Sequence, residues 1–203
     1  MEKSRKTANL KRRIDFDLIE TFGIKEFYVG GGVFLENFKD VDIFPVGKAP
    51  FLIPDRFDPL VTSNATTVRN HQFCNFLSSS LKGLVDSFDF NHCQIGAHFV
   101  KEPDGWVVKE EYSTPGFKHF LNSGEVHYIR GSKFPFSSLT RVPRVYEKFG
   151  LSQGHVASVM IDILNDIAQR GFRDLEDANE QLKGVYNEAA ISDGEFFQKL
   201  SKT

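Results

Sequence analysis

The chain has 203 residues, of which 40% are hydrophobic and 26% are charged, and its formal net charge is −2. These values are ordinary for a globular protein. The small net charge excludes a general attraction to nucleic acid, so any polyanion binding must come from a local cluster of basic residues. Twenty-one phenylalanines against one tryptophan and two methionines predict a core rich in aromatic rings.

The two cysteines, Cys74 and Cys93, are too few for a disulfide framework and suit a reducing compartment. The basic N-terminal residues lead into no apolar segment, and the longest apolar runs fall short of the roughly 20 residues that a membrane helix needs. We therefore expect a cytoplasmic protein with no secretory signal and no membrane partner.

The predicted elements begin with residues 1–13, which carry six Lys and Arg and are either a solvated arm or a short polar helix. Alternation and β-forming residues predict strands at 26–29, 41–44, 61–68, 72–77, 87–95, 97–101 and 106–108. Helical spacing predicts helices at 15–22, 78–85, 115–122, 137–149, 154–170, 173–188 and 193–200. This order indicates an α+β fold, with a mixed domain over 14–112 and a helical C-terminal region over 113–203.

Three consecutive glycines, Gly30, Gly31 and Gly32, follow the first predicted strand. Because they have no Cβ atoms, they can take backbone conformations that other residues resist. Their N–H groups can also approach a phosphate closely. This segment is therefore a candidate phosphate-binding turn.

Two carboxylates, Asp40 and Asp42, lie at the second predicted strand. The strand period of two places them on one face and places Val41 and Ile43 on the other. Neighbouring carboxylates repel each other unless a cation lies between them, and such hard oxygen ligands favour Mg²⁺ or Mn²⁺. We therefore expect a divalent metal site at Asp40 and Asp42.

A strand, a glycine turn and then Asp-hydrophobic-Asp-hydrophobic on the next strand resemble the DNA polymerase beta-like nucleotidyltransferase superfamily. This superfamily includes tRNA CCA-adding enzymes, poly(A) polymerases and minimal nucleotidyltransferase antitoxins, and the chain looks like its small, template-independent type. The resemblance covers about residues 22–95. It implies a mixed β-sheet flanked by helices. It also implies that the glycine turn holds a triphosphate, and that the two aspartates share two divalent metals with a third carboxylate from a later strand.

The resemblance places that third carboxylate at Asp89, on the strand predicted over 87–95. Asp89 and Asn91 would share one face of this strand. Asp86 is the competing candidate, at the entry to the same strand. The expected catalytic and metal-binding residues are therefore Asp40, Asp42 and Asp89.

A second resemblance concerns residues 136–150, which look like the helix that follows the catalytic domain in template-independent members. In those proteins basic residues of this helix approach the nucleotide. Arg141, Arg144 and Lys148 share one helical face if the helix is continuous. Pro143 is expected only in the first turn, which would put Arg141 just outside the helix. The three basic residues are expected either to bind the triphosphate or an acceptor strand, or to form a solvated face.

The implied activity is transfer of a nucleoside monophosphate from a nucleoside triphosphate, with Mg²⁺ or Mn²⁺, and release of pyrophosphate. An RNA end, a protein hydroxyl and a small molecule all fit as the acceptor. Two other classes of protein remain open. One is a catalytically silent nucleotide-binding or antitoxin-like interaction module of the same fold, and the other is a structural protein.

Two further patterns favour structural roles. The irregular spacing of the remaining metal-ligating side chains argues against a structural zinc site at His71, Cys74, His92, Cys93 and His98. The apolar stripe of the helix at 154–170 predicts packing between helices, with a homodimer face of the C-terminal helices as the alternative.

Overall fold

The computed structural model of the protein describes residues 9–36, 38–47, 53–62 and 65–183. The chain divides into two compact units, Met1–His127 and Tyr128–Thr203. The first unit thus keeps residues 113–127, which the sequence assigned to the helical region. The physical reason is Asn91, whose side-chain amide donates to the Glu125 carbonyl at 3.0 Å and accepts from the His127 N–H at 2.8 Å.

The described part of the first unit contains a seven-stranded sheet in the order β3-β4-β5-β2-β1-β6-β7. Its strands are β1 (Glu26–Gly30), β2 (Val41–Pro45), β3 (Leu60–Val61), β4 (Ala65–Val68), β5 (His71–Cys74), β6 (Ile95–Glu102) and β7 (Gly105–Ser113). The β2–β5 pair is parallel and the other pairs are antiparallel. The predicted α+β class is therefore confirmed as a mixed sheet with flanking helices, while the specific nucleotidyltransferase fold stays a prediction.

Besides the helical residues 9–13, the described part of the first unit contains α1 (Phe16–Thr21), α2 (Leu81–Asp86) and α3 (Pro115–Ser123). Each begins at a side-chain cap that accepts a backbone N–H, which satisfies one of the unpaired donors of the first turn. The cap residues are Asp15, Ser80 and Thr114.

The sheet has an apolar core on each face. Successive side chains of β1 point into different cores. Phe27 and Val29 belong to the core that includes α1, whereas Tyr28 belongs to the core that includes α2. Phe27 and Val29 are fully buried, which explains why this stretch forms a central strand. Asp42 alternates with the fully buried Val41 and Ile43 of β2, so its side chain lies on the other face from theirs.

Two strand predictions are wrong. The strand predicted at 61–68 is the hairpin of β3 and β4, paired from Leu60↔Thr67 to Val61↔Thr66. The strand predicted at 87–95 is a turn followed by a 3₁₀ helix at Asn91–Cys93, and only its last residue begins β6. Local hydrogen bonds form there in place of hydrogen bonds between strands. The Cys93 N–H, for example, donates to the Phe90 carbonyl at 3.0 Å.

The strands predicted at 97–101 and 106–108 are confirmed; they form a hairpin, and both are longer than predicted. β6 and β7 pair from Ile95↔Ser113 to Glu102↔Gly105, so Pro103 and Asp104 form the turn. Gly105 has a φ of +125°, a conformation that side-chain-bearing residues rarely adopt.

The second unit is helical over its described residues, as predicted. Its helices are α4 (Pro135–Phe149), α5 (Gln153–Arg170) and α6 (Leu175–Lys183). The helix predicted at 193–200, and the end of the one predicted at 173–188, lie outside the described residues. None of the described helices is both long enough and apolar enough to cross a membrane.

The expectation that Pro143 lies in a first helical turn is wrong. α4 begins at Pro135, so Pro143 lies in the middle of the helix and Arg141 lies within it. A proline there removes one helical hydrogen bond, at a cost of about 3 kcal/mol. The buried neighbours Val142 and Val145 offset this cost by packing.

Candidate functional site

The glycine turn follows β1 directly, because β1 ends at Gly30 and a 3₁₀ helix spans Gly31–Phe34. Gly31 has a φ of +75°, in the left-handed region that favours glycine. Gly30 is extended, but a Cβ there would lie 2.8 Å from Cζ of Phe88 and 3.3 Å from the Ile95 carbonyl oxygen. Gly31 is therefore required for its backbone conformation, and Gly30 is required because its neighbours leave no room for a side chain.

The glycine turn and Asp42 are direct neighbours. β1 and β2 pair with Gly30 opposite Asp42. A Cβ built on Gly31 would lie 3.9 Å from Oδ2 of Asp42. The predicted phosphate-binding turn and one predicted metal ligand therefore meet where β1 ends and β2 begins.

Asp40 and Asp42 are both half-buried, and they flank the fully buried Val41. That Asp40 and Asp42 share one face of the chain stays a prediction. Within the described residues, no ion pair or hydrogen bond engages the side chain of Asp40. That carboxylate is not neutralised by a described Lys or Arg, which leaves it available to a cation.

The strand beside β2 carries neutral groups next to Asp42. β5 runs parallel to β2 and places Gln72 in register with Asp42. Cys74 follows two residues later on the same face of β5. Burial raises the pKa of the Cys74 thiol well above its usual range, and the negative charge of Asp42 adds to that rise. Cys74 is therefore a protonated thiol, and the field of Asp42 extends toward β5.

The two candidates for the third carboxylate lie in different surroundings. Asp86 ends α2, is exposed, and accepts hydrogen bonds from Lys82 and, at 3.0 Å, from the Tyr112 hydroxyl. Asp89 is only 5% exposed. Asp86 is therefore an exposed carboxylate paired with Lys82, whereas Asp89 is a buried one.

Asp89 lies in a segment that touches the glycine turn at both ends. Phe88 packs against Gly30, and the Cβ of Cys93 lies 4.0 Å from the position of a Cβ on Gly31. The strand that was expected to carry Asp89 is absent from this described segment, as noted above. Its role as a metal ligand stays a prediction.

Among the described residues, no three carboxylates at this end of the strands have ligand atoms within 4.8 Å of one another. Among the described residues, one group of three His, Cys, Asp or Glu side chains has ligand atoms within 4.8 Å of one another, and it is His119, Glu125 and His127. A pair of carboxylates is nevertheless sufficient for one Mg²⁺, because this ion is usually held by one or two carboxylates, water and substrate phosphates. Asp40 and Asp42 beside the glycine turn fit that ligand set.

The sequence did not predict the role of Arg13. Its guanidinium donates to the carbonyls of Val33 at 2.5 Å and Leu35 at 2.6 Å, and it lies 4.5 Å from the ring centre of Phe38. Arg13 thus fixes the chain as it leaves the glycine turn. The available signal was the helical spacing of Leu10 and Ile14, which are buried where residues 9–13 form a helix.

The predicted basic residues lie on α4 in the second unit. Arg141 and Arg144 are exposed and Lys148 is half-buried, and the continuous helix puts all three on one face. Their part in nucleotide binding stays a prediction.

The second unit also has an apolar groove of about 410 Å³ between α4 and α5. Tyr146 and Met160 line it and are exposed. The predicted homodimer through the C-terminal helices stays a prediction. Comparisons of the chain with protein-family models, with curated proteins and with solved structures find no match.

Proposed function

We propose that this protein is a metal-dependent nucleotidyltransferase that binds a nucleoside triphosphate where β1 ends and β2 begins. The observation that carries the proposal is the position of Asp42 beside the glycine turn. Gly31 is in the left-handed conformation, and its Cβ position lies 3.9 Å from Oδ2 of Asp42. A turn that offers N–H groups to phosphate and carboxylates that hold Mg²⁺ are the two parts that triphosphate binding needs.

Each part has a separate task in this proposal. The N–H groups of Gly31 and Gly32 bind the distal phosphates, which a single cation does not fully neutralise. Asp40 and Asp42 hold Mg²⁺ or Mn²⁺, and Asp89 is the third carboxylate for a second ion. When bound, the metal neutralises charge on the phosphates and on the acceptor oxygen. Arg13 maintains the shape of the turn through the carbonyls of Val33 and Leu35.

The proposed reaction joins the acceptor oxygen to the α-phosphorus of the triphosphate. The bond from that phosphorus to the oxygen bridging to the β-phosphate breaks, and pyrophosphate leaves with that electron pair. The acceptor hydroxyl loses its proton to solvent. The protein supplies position and charge, which is the main contribution that phosphoryl transfer asks of an enzyme.

A catalytically silent nucleotide-binding module is the second candidate function, and β5 supplies the observation that favours it. The residue in register with Asp42 on the parallel neighbouring strand is Gln72, and the next residue on that face is the protonated Cys74. Neither adds a negative charge for a second metal ion. In this alternative, Asp40 and Asp42 bind one Mg²⁺–nucleotide complex without transfer.

A labelled-nucleotide assay tests the proposal. The purified protein is incubated with each of the four nucleoside triphosphates, labelled at the α-phosphate, with Mg²⁺ or Mn²⁺ and a cell lysate that supplies acceptors. We expect label to move to an RNA, protein or small-molecule fraction, and Asp42→Asn to abolish the transfer. Nucleotide binding is measured in parallel by thermal shift.

The two candidate functions give different results in this pair of measurements. Transfer that depends on Asp42 supports the enzyme. Metal-dependent binding that is lost in Asp42→Asn, without transfer to any fraction, supports the silent module. Absence of both transfer and binding overturns both candidates.

A further inference from the structure

A second group of metal-ligating side chains lies at the end of α3, away from the aspartates in sequence. His119 lies in the middle of α3, and Glu125 and His127 are in the loop that follows. Nε2 of His119 lies 3.2 Å from Oε2 of Glu125, and Nε2 of His127 lies 3.5 Å from the same oxygen. Each of the three side chains is about half exposed. The group therefore presents two imidazoles and one carboxylate to solvent.

The separations match those of a tetrahedral metal site. Zinc ligands lie about 2.0–2.2 Å from the ion, so two ligand atoms of one tetrahedron are about 3.3 Å apart. The two measured separations lie on either side of this value. All three ligand atoms lie within 4.8 Å of one another.

The loop holds the three ligands in place without a metal. Gly124 ends α3 with a φ of +72°, and its N–H donates to the Phe120 carbonyl at 2.8 Å. The hydroxyl of Ser123 accepts from the Glu125 N–H and donates to the His119 carbonyl, both at 3.0 Å. These bonds fix the distance between the helix and the loop.

Asn91 fixes the other end of the loop. It is 1% exposed, and its side chain bonds the Glu125 carbonyl and the His127 N–H, while its own N–H donates to the His127 carbonyl. Val126 is fully buried between the two ligands, so Glu125 and His127 both point outward. The arrangement is thus anchored by buried residues, which distinguishes it from a chance approach of mobile surface side chains.

We propose that His119, Glu125 and His127 form a binding site for a divalent transition metal, with Zn²⁺ as the ion that suits them best. Neutral imidazole with carboxylate is a donor set for zinc, whereas Mg²⁺ prefers oxygen ligands alone. Three protein ligands leave the fourth position of a tetrahedral ion to water. This site is independent of the proposed nucleotide site, which uses other residues and another metal.

Calorimetric titration of the metal-free protein with Zn²⁺ tests this site. We expect one saturable site and a heat that depends on the buffer, because metal binding to protein ligands releases protons. His119→Ala and His127→Ala should each weaken zinc binding by at least about 100-fold, since even the loss of an outer partner of a ligand costs about 10- to 100-fold.

His98→Gln is the matched control, since Nε2 of His98 lies 2.8 Å from Oε1 of Glu26 in a pair with no third ligand in the described group. It should leave zinc affinity unchanged. Titration with Co²⁺ gives a second measurement, because a tetrahedral site produces visible absorption that each ligand variant should lose.

Two outcomes overturn the proposal. One is the absence of saturable zinc binding below about 1 mM. The other is unchanged zinc affinity in the double variant His119→Ala/His127→Ala. Because the side chains are exposed, these variants should remain folded, and the thermal melting of each is recorded alongside.

Discussion

The first unit contains two candidate metal-binding regions, and they differ in ligand type, burial and origin. Asp40 and Asp42 are half-buried oxygen ligands at the start of a central strand, next to a glycine turn. His119, Glu125 and His127 are exposed and lie at the end of a helix. The first region gains its geometry from strand register, and the second from a helix cap and one buried asparagine.

The difference in ligand type determines what each region requires to bind a metal ion. In the carboxylate pair, both ligands carry negative charge, so a cation and the phosphates it carries would complete the site. In the histidine cluster, the ligands attract each other, because both imidazoles lower the pKa of Glu125. A metal must therefore compete there with hydrogen bonds that already exist. Single substitutions can separate the two regions.

The largest expected effect is that of Asp42→Asn. Loss of a ligand should reduce Mg²⁺-dependent nucleotide transfer by more than about 100-fold, since even an outer partner of a ligand contributes about 10- to 100-fold. The free energy of unfolding should stay the same or rise, because a repelling charge is removed. Transfer rates and thermal melting measure the two effects.

Asp104→Asn is the control for that substitution, because it removes one carboxylate from the exposed hairpin turn. Asp104→Asn should change neither the rate of nucleotide transfer nor the free energy of unfolding. Zinc affinity of the histidine cluster should also be unaffected by Asp42→Asn. A variant that retained full turnover would remove Asp42 from the site.

The next effect is that of Gly31→Ala, which introduces a Cβ at a φ of +75°. The space is adequate, since the nearest atom would be Oδ2 of Asp42 at 3.9 Å, so the cost comes from the backbone. We expect about 1–2 kcal/mol lower stability, and weaker nucleotide binding as the turn shifts. Chemical denaturation and nucleotide titration measure these effects.

Gly23→Ala is the matched control. Gly23 has a φ of +71° and no atom within 4 Å of its Cβ position, so its backbone cost should be similar. It does not touch the carboxylates, and nucleotide binding should be unchanged. Equal losses of nucleotide affinity in the two variants would show that the glycine turn has no specific role.

Ser123→Ala should have a smaller effect, on the histidine cluster alone. It removes a hydroxyl that bonds the Glu125 N–H and the His119 carbonyl, each at 3.0 Å. Zinc affinity should fall by about tenfold or somewhat more, the lower end for loss of a supporting partner. Stability should fall by only about 0.5–1.5 kcal/mol. Unchanged zinc affinity, measured by calorimetry, would mean that the cap does not orient the ligands.

The sequence predicted the parts of the carboxylate region that depend on local signals. β1, the glycine turn and β2 follow one another within residues 26–45, where alternation and glycines are visible in the chain. It failed at the segment around Asp89, where β-forming phenylalanines suggested a strand. The amide of Asn91 instead bonds residues 125 and 127, and Gln94 donates to the Phe88 carbonyl at 3.3 Å. The contacts of Asn91 join residues that are far apart in the sequence, so no local sequence pattern predicts them.

The histidine cluster was missed for the same physical reason. Its ligands are separated by six and two residues, which is not a spacing that places side chains together on one helix or one strand alone. They meet because Gly124 ends α3 and Asn91 holds the loop. Arg13 likewise acts on carbonyls twenty residues away, at Val33 and beyond.

The two regions should also respond differently to acid, and the smallest predicted effect concerns His71 beside the carboxylate strand. His71 is 3% exposed and pairs with Val41 across β5 and β2. Its Nε2 accepts from the Asp15 N–H at 2.9 Å, so its Nδ1 carries the hydrogen and donates to Asn70 Oδ1 at 3.0 Å. Protonation of Nε2 would make it a donor facing the donor N–H of Asp15. Burial also disfavours the charged ring and lowers the pKa of His71.

Because the folded pKa of His71 lies below the unfolded value of 6.5, its contribution to stability is complete above pH 6.5 and is lost as the pH falls through the folded pKa. Glu125 acts in a more acidic window, since its folded pKa lies below 4.5. His71→Gln keeps an acceptor and a donor and does not titrate, so urea unfolding of this variant should lack the decline that starts near pH 6.5. A decline that persisted unchanged in His71→Gln would assign it to another group, and the carboxylate strand would then not depend on a neutral His71.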